Sequence, residues 1–172
     1  TMQVFQKKEA VLCGVDEAVA VLKLAAGKYT DYPKAYKLFD KLIELKDQAR
    51  RQFIGNHDAY LKTIKQKMEV SQQLDELWHS GFKQLKVEAL YDGDQISAWE
   101  TVMHITGDAS HFAHLETVYL GILARRTKIA SNVRGVGEAA NGKKVLYFPA
   151  RFDHWAVQGG DGYAAHIGGA TG

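Results

Sequence analysis

Two short stretches of the 172-residue chain gather side chains that could do chemistry: Arg125, Arg126 and Lys128 in "LARRTKIAS", and Arg151, Asp153 and His154 in "LYFPARFDHW". A planar guanidinium takes a carboxylate or phosphate through paired, charge-assisted bonds, which suits Arg151 at the end of an apolar run. Asp153 and His154 could position that arginine, exchange a proton, or pair with each other at the surface. Arg125, Arg126 and Lys128 fall near the end of an expected helix. Cations there are favoured by the helix dipole in any protein, so they read either as helix-stabilising charges or as an anion site.

Other constellations carry less. His104, His111 and His114 are close in sequence, and the spacing of the last two puts them on one helical face. A zinc site could use that face, but no HExxH pattern or cysteine pair accompanies it; ordinary surface or capping histidines are expected, and no metal ligand is assigned. Asp92-Gly93-Asp94 reads as a turn, because glycine takes positive φ cheaply and aspartate bonds its own backbone nearby. Gly159-Gly160-Asp161-Gly162 and Gly168-Gly169 would let backbone approach an anion, yet they have neither Walker nor dinucleotide spacing.

The elements that must position these residues follow from periodicity. Val15, Ala18, Val19 and Leu22 recur at helical spacing, with Asp16 as expected cap and Gly27 as stop. Residues 31–78 are charged and glycine-poor, and read as a helical hairpin broken at Gly55-Asn56. Its expected apolar stripes are Leu38, Leu42, Leu45, Ala49 and Phe53, then His57, Leu61, Ile64 and Met68. They fit a packing insertion with a solvated outer face; a partner groove or oligomer contact is its one functional possibility. "LKVEALY" alternates as a half-buried strand, and "ETVMHIT" is expected to return beside it.

A helix is expected from His111 to about Val133, with Phe112, Leu115, Tyr119, Ile122 and Ile129 on its apolar face. Gly121 in mid-helix suggests a close neighbour there. "GVGEAA" reads as a further helix, and residues 145–149 of "KKVLYFPARFD" as a buried strand. Helix, glycine turn, buried strand and reactive side chains at its carboxyl end are the grammar of α/β barrels and open α/β sheets.

Composition sets the outer bounds. A hydrophobic share of 46% with 24% charge is that of a soluble globular protein. No apolar run approaches the ~18–20 residues of a membrane span. A net charge of +2 is too weak to argue for nucleic acid. The single cysteine, Cys13, makes no intrachain disulfide, and the N-terminus lacks the apolar core of a signal peptide; a cytoplasmic location is expected.

The run "VEALYDGDQISAWETVMHITGDASHFAHLETVYLGILARRTKIASNV", followed by "GKKVLYFPARFDHWAVQGGDGYAAHIGGATG", resembles the nicotinate phosphoribosyltransferase family and, more distantly, quinolinate phosphoribosyltransferase. The likeness extends to "VFQKKEAVLCGVDEAVAVLK" near the N-terminus. It implies a type II phosphoribosyltransferase of α/β class. A sandwich-like N-terminal domain, residues 1–108 with the helical insertion at about 28–80, would precede linking helices and the first strand of an incomplete α/β barrel, residues 109–172.

It also implies transfer of phosphoribose from phosphoribosyl pyrophosphate to the ring nitrogen of nicotinate, giving nicotinate mononucleotide and pyrophosphate in NAD biosynthesis. Magnesium is implied, as is coupling to ATP hydrolysis in nicotinate members, and a dimer with two shared sites. Arg151 then matches the arginine that contacts the acid substrate, and Arg125 an arginine that in quinolinate relatives reaches the neighbouring subunit's site. Asp153 and His154 belong to an FDH form of the motif, while Glu116, Thr117 and Thr127 read as scaffold. A barrel needs ~250 residues, and the family's phosphate loops and phosphorylated histidine fall beyond Gly172. The chain is therefore expected to be part of a larger protein and inactive alone. Two other readings compete: a split, non-catalytic dimerisation or regulatory partner of a longer homologue, and a small-anion binding module unrelated to NAD.

Overall fold

The structure, a computed structural model, describes residues 1–172. In chain order the elements are β1 (Met2–Phe5), β2 (Ala10–Val11), α1 (Val15–Ala25), β3 (Gly27–Tyr29), α2 (Tyr32–Gln52), α3 (His57–Leu77) and β4 (Trp78–Ser80). Then come β5 (Lys86–Ala89), β6 (Gln95–Ile96), β7 (Thr101–Thr106), α4 (Glu116–Ala139) and α5 (Trp155–Ile167). They form a mixed α/β fold, as expected. No helix is long and apolar enough to cross a membrane.

Residues 1–26 and 81–172 form one compact unit, and 27–80 a second. The boundary expected at 108 lies inside the first unit, because α4 packs directly on α1 and β2.

In the first unit β7 is the middle strand of an antiparallel sheet in the order β1-β7-β5, with Ile105 opposite both Met2 and Val87. Its alternation buries Met103 and Ile105, and Val102 as well, so both faces of β7 are covered. Val15, Ala18 and Leu22 of α1 close one side of this core, and Tyr119 and Leu123 of α4 complete it. Asp16 is not the cap of α1. Gly14 holds that position in the left-handed region (φ +96°), and the Asp92 carboxylate, brought in by the 92–94 turn, accepts the Val15 N–H at 2.8 Å. Aspartate fills the usual cap role from a distant loop.

Two 3₁₀ turns at 109–115 precede α4, and α4 runs unbroken through the residues expected to form a separate "GVGEAA" helix. It stops at Asn141 and Gly142, both at positive φ. Nothing lies within 4 Å of where a Cβ on Gly121 would be, so the close neighbour expected there does not exist.

Residues 145–149 are not a strand of any sheet. Val145 and Tyr147 pack inward against Val133, Ala165 and Ala170, while Leu146 and Phe148 are exposed. Apart from a turn in which the Pro149 carbonyl accepts from the Phe152 and Asp153 N–H groups, the stretch bonds the chain end: Thr171 N–H to the Val145 carbonyl at 2.9 Å and Tyr147 N–H to the Gly172 carbonyl at 2.7 Å. Helix α5 joins these two side-by-side stretches, which is the connectivity of a βαβ unit without the rest of a sheet. Residues 155–167, for which no element was expected and whose glycines suggested only close approach of backbone to an anion, are this helix.

The second unit is the hairpin the sequence announces. Asp31 caps α2 by accepting the Lys34 N–H at 2.9 Å, and Asn56 caps α3 by accepting from Ala59 at 3.0 Å. Tyr29 of β3 pairs with Trp78 of β4 across the open end. On α2 the buried face is Ala35, Leu38, Leu45 and Ala49, while Phe53 is exposed. On α3 the expected phase is wrong: Thr63, Val70 and Leu74 are buried, and His57, Leu61 and Met68 face solvent.

Candidate functional site

Arg125 and Arg126 are consecutive on α4, so their side chains leave the helix about 100° apart and flank whatever packs there. What packs there is Asp161 of α5, fully buried. Arg125 Nε donates to both Asp161 carboxylate oxygens at 3.0 Å, and Nη2 donates to Asp161 Oδ2 at 2.6 Å and to Asp153 Oδ1 at 3.1 Å. Arg126 Nη1 donates to Asp161 Oδ1, while its Nε and Nη2 take the two oxygens of Glu17 on α1 at 2.8 and 3.0 Å. One buried carboxylate thus bridges two guanidinium groups, and an outer carboxylate backs each.

Two glycines make the approach possible. A Cβ on Gly160 would lie 2.0 Å from Arg126 Nη2, and one on Gly14 would lie 2.9 Å from Arg126 Cγ. The bonds also set the charges. Asp161 first, then Asp153, holds Arg125 protonated beyond its already high ordinary range, and Glu17 does the same for Arg126. Two cations face three carboxylates, so the cluster as it stands carries one excess negative charge and does not attract an anion by its net field.

Arg125 nevertheless keeps one edge uncommitted. Its Nε and Nη2 are committed, its Nη1 makes no bond, and its side chain is 41% exposed. A guanidinium fixed on one edge loses little freedom when the other edge binds.

The remaining expected residues are placed as follows. Asp153 belongs to the cluster. Arg151 is exposed in the turn before α5, in the left-handed region (φ +73°), and joins no ion pair. His154 caps α5, its Nδ1 accepting the Ala156 N–H at 3.2 Å, and its ring lies against Trp155. Of the three histidines, His104 bonds Gln3, and His111 is not a surface residue: it is buried, with neither ring nitrogen bonded. Nowhere do three metal-ligating side chains converge. Cys13 is fully buried, and burial pushes its thiol up to about 12, so it is no nucleophile.

Sequence reasoning passed over Asp161, Arg126 and Glu17 as members of one site. The signal was present: Val157, Asp161, Ala164, Ala165 and Gly168 share helical spacing, and an aspartate centred on a small apolar face must find a cation.

Residues 69–127 match the family described as "Quinolinate phosphoribosyl transferase, N-terminal domain". No curated protein sequence matches the chain. Among solved structures, NadC from Streptococcus pyogenes is similar at 17% identity and a TM-score of 0.56, covering 98% of this chain and 41% of its own. Nicotinate-nucleotide pyrophosphorylase from Francisella tularensis is similar at 14% identity and 0.57, with the same coverages. Human nicotinic acid phosphoribosyltransferase is similar at 14% identity and 0.57, covering 98% of this chain and 30% of its own. The chain thus spans about two fifths of the length of the NadC structures it resembles. These likenesses show the fold of the NadC structures over nearly the whole chain and, at residues 69–127, the quinolinate phosphoribosyl transferase N-terminal domain model.

Proposed function

We propose that the chain is part of a phosphoribosyltransferase of pyridine nucleotide biosynthesis, in which Arg125 and Arg151 receive the carboxylate of a pyridine acid, nicotinate in the first instance. Phosphoribosyl pyrophosphate is the second substrate, with magnesium as its counter-ion, and the working assembly is a homodimer in the cytoplasm. The observation that carries the reading is the half-committed guanidinium of Arg125, fixed by Asp161 and Asp153 with Nη1 open, in a chain of this fold.

Loss of pyrophosphate leaves positive charge on the ribose, so the protein's work is to orient the ring nitrogen and to stabilise charge. Arg125 suits the first task, because its anchored edge fixes the direction of its free edge. Arg151 is unpaired and two residues from Asp153, and supplies the charge that the acidic cluster lacks. This chain's carboxylates do not group into a magnesium site, so no step is assigned to the metal.

The test is titration of nicotinate, quinolinate and nicotinamide into the chain, followed by NMR. Nicotinate should bind at least ~10-fold more tightly than nicotinamide, because the amide loses a charge-assisted pair. Arg151→Ala should remove the difference. Quinolinate binding more tightly than nicotinate would move the substrate to the diacid. Equal binding of nicotinate and nicotinamide, untouched by Arg151→Ala, would overturn the proposal in favour of a general small-anion module.

A further inference from the structure

The hairpin unit leaves a row of large apolar side chains uncovered. On α2, Tyr32, Tyr36, Phe39 and Ile43 are all exposed, Tyr36 at 69%. On α3, Leu61 and Met68 are exposed, Met68 at 67%, with Ile64 half-buried between them. Each set recurs at helical spacing, so each is one stripe. The α2 stripe lies about 110° around its helix from the buried face and the α3 stripe about 130°, turned in the same sense. Because α2 and α3 run antiparallel, turns of the same sense bring both stripes to the same side of the hairpin.

Two ties fix their levels. Thr63 Oγ1 donates to Gln52 Oε1 at 2.8 Å near the closed end, and Tyr29 pairs with Trp78 at the open end. Between them Ile43 lies level with Met68. The α2 stripe therefore ends where the α3 stripe begins, and the two make a single diagonal row. Its α2 half is aromatic and its α3 half aliphatic. At the aromatic end Tyr29, Tyr32, Ala35, Tyr36 and Phe39 line a hollow of about 170 Å³.

We propose that this row is a dimerisation surface and that its occupant is the same row of a second copy. A twofold axis across the row at Ile43 sets the aromatic half of one copy over the aliphatic half of the other, so stiff rings meet flexible Leu and Met side chains, and the four helices make a bundle. The exposed parts of these side chains amount to on the order of 600 Å² per copy, close to the ~800 Å² per partner of a standard stable interface. The hairpin's own core is thin, with five buried apolar residues in one cluster, which is what half of a four-helix bundle presents.

The proposal is independent of the nucleotide chemistry, and its test reads association alone. Sedimentation of the 172-residue chain should show a dimer at ~100 µM, the range in which an interface of this size assembles. Tyr36→Glu and Met68→Glu, at exposed positions that leave the hairpin core intact, should each give a folded monomer by sedimentation and circular dichroism. Lys41→Glu, exposed on the opposite side of α2 from the row, should leave the dimer unchanged. Ile43→Cys should form an intermolecular disulfide on mild oxidation, since the axis brings that position against itself and Cys13 is buried. A monomeric parent chain, or a dimer that survives both Tyr36→Glu and Met68→Glu without the Ile43→Cys cross-link, would overturn the proposal.

Discussion

The two units of the chain bury charge and apolar surface in opposite ways. The sheet-based unit has a broad core around β7 and spends part of it on ions: Asp161 is wholly inside, Arg126 nearly so, and three helices contribute to one network. The hairpin has a narrow core, no buried charge, and aromatic rings in water. A buried ion cluster is costly to assemble and is retained where position matters more than stability. An exposed apolar row contributes nothing to its own unit and is retained where something covers it. Each region therefore keeps a feature that folding alone does not explain, a fixed arginine in one and an uncovered face in the other.

The largest expected effect falls on the ionic side of that contrast. Asp161→Ala leaves two guanidinium groups without their shared acceptor, Arg126 among them buried, and breaking such a pair costs about 3–5 kcal/mol. Urea unfolding of the variant should show it, with β7 and the hairpin destabilised unequally in hydrogen exchange. A loss below about 1 kcal/mol would mean that the cluster is well hydrated and that Arg125 is not held as described.

The hairpin should respond less, and locally. Leu38→Ala removes a large share of a small core and should cost about 2–3 kcal/mol, at the lower end for leucine because two helices can close up around the gap. Faster exchange should be confined to α2 and α3. Equal acceleration in β7 would show that the two units unfold together, and the contrast between them would lose its energetic meaning.

How much of this the sequence disclosed depends on whether a pattern had one solution. The α2 stripe through Leu38, Leu42, Leu45 and Ala49 and the break at Gly55-Asn56 are local signals and hold, while Phe53, expected on the same stripe, is exposed. The α3 stripe failed because that helix carries two apolar rows, one buried through Thr63, Val70 and Leu74 and one exposed through Leu61 and Met68. Periodicity cannot rank two rows on one helix, and a polar threonine disguised the buried one. Helix α5 was missed for a different reason: Gly159, Gly160 and Gly162 around Asp161 suggested close backbone approach to an anion and no helix, yet Gly160 is small so that Arg126 can pass. Arg125 and Asp153 were read as site residues, but their shared partner was invisible until α4 met α5.

The smallest effect tests a long-range cap at the edge of the same core. Burial pushes the Asp92 carboxyl above its ordinary range, against the lowering effect of the Val15 N–H that it accepts. A raised folded-state pKa means the folded chain keeps this proton to higher pH than the unfolded chain does. Rising pH therefore removes the proton from the unfolded state first, and stability falls as pH climbs from the ordinary carboxylate pKa through the folded one. Asp92→Asn keeps an oxygen for Val15 and has no charge to bury. Relative to the parent it should gain stability between pH 3 and pH 7, by no more than about 1 kcal/mol at a site that keeps its hydrogen bond. Urea midpoints at the two pH values measure the change. A relative stability that falls between them would show that the charge on Asp92 strengthens the cap by more than its burial costs.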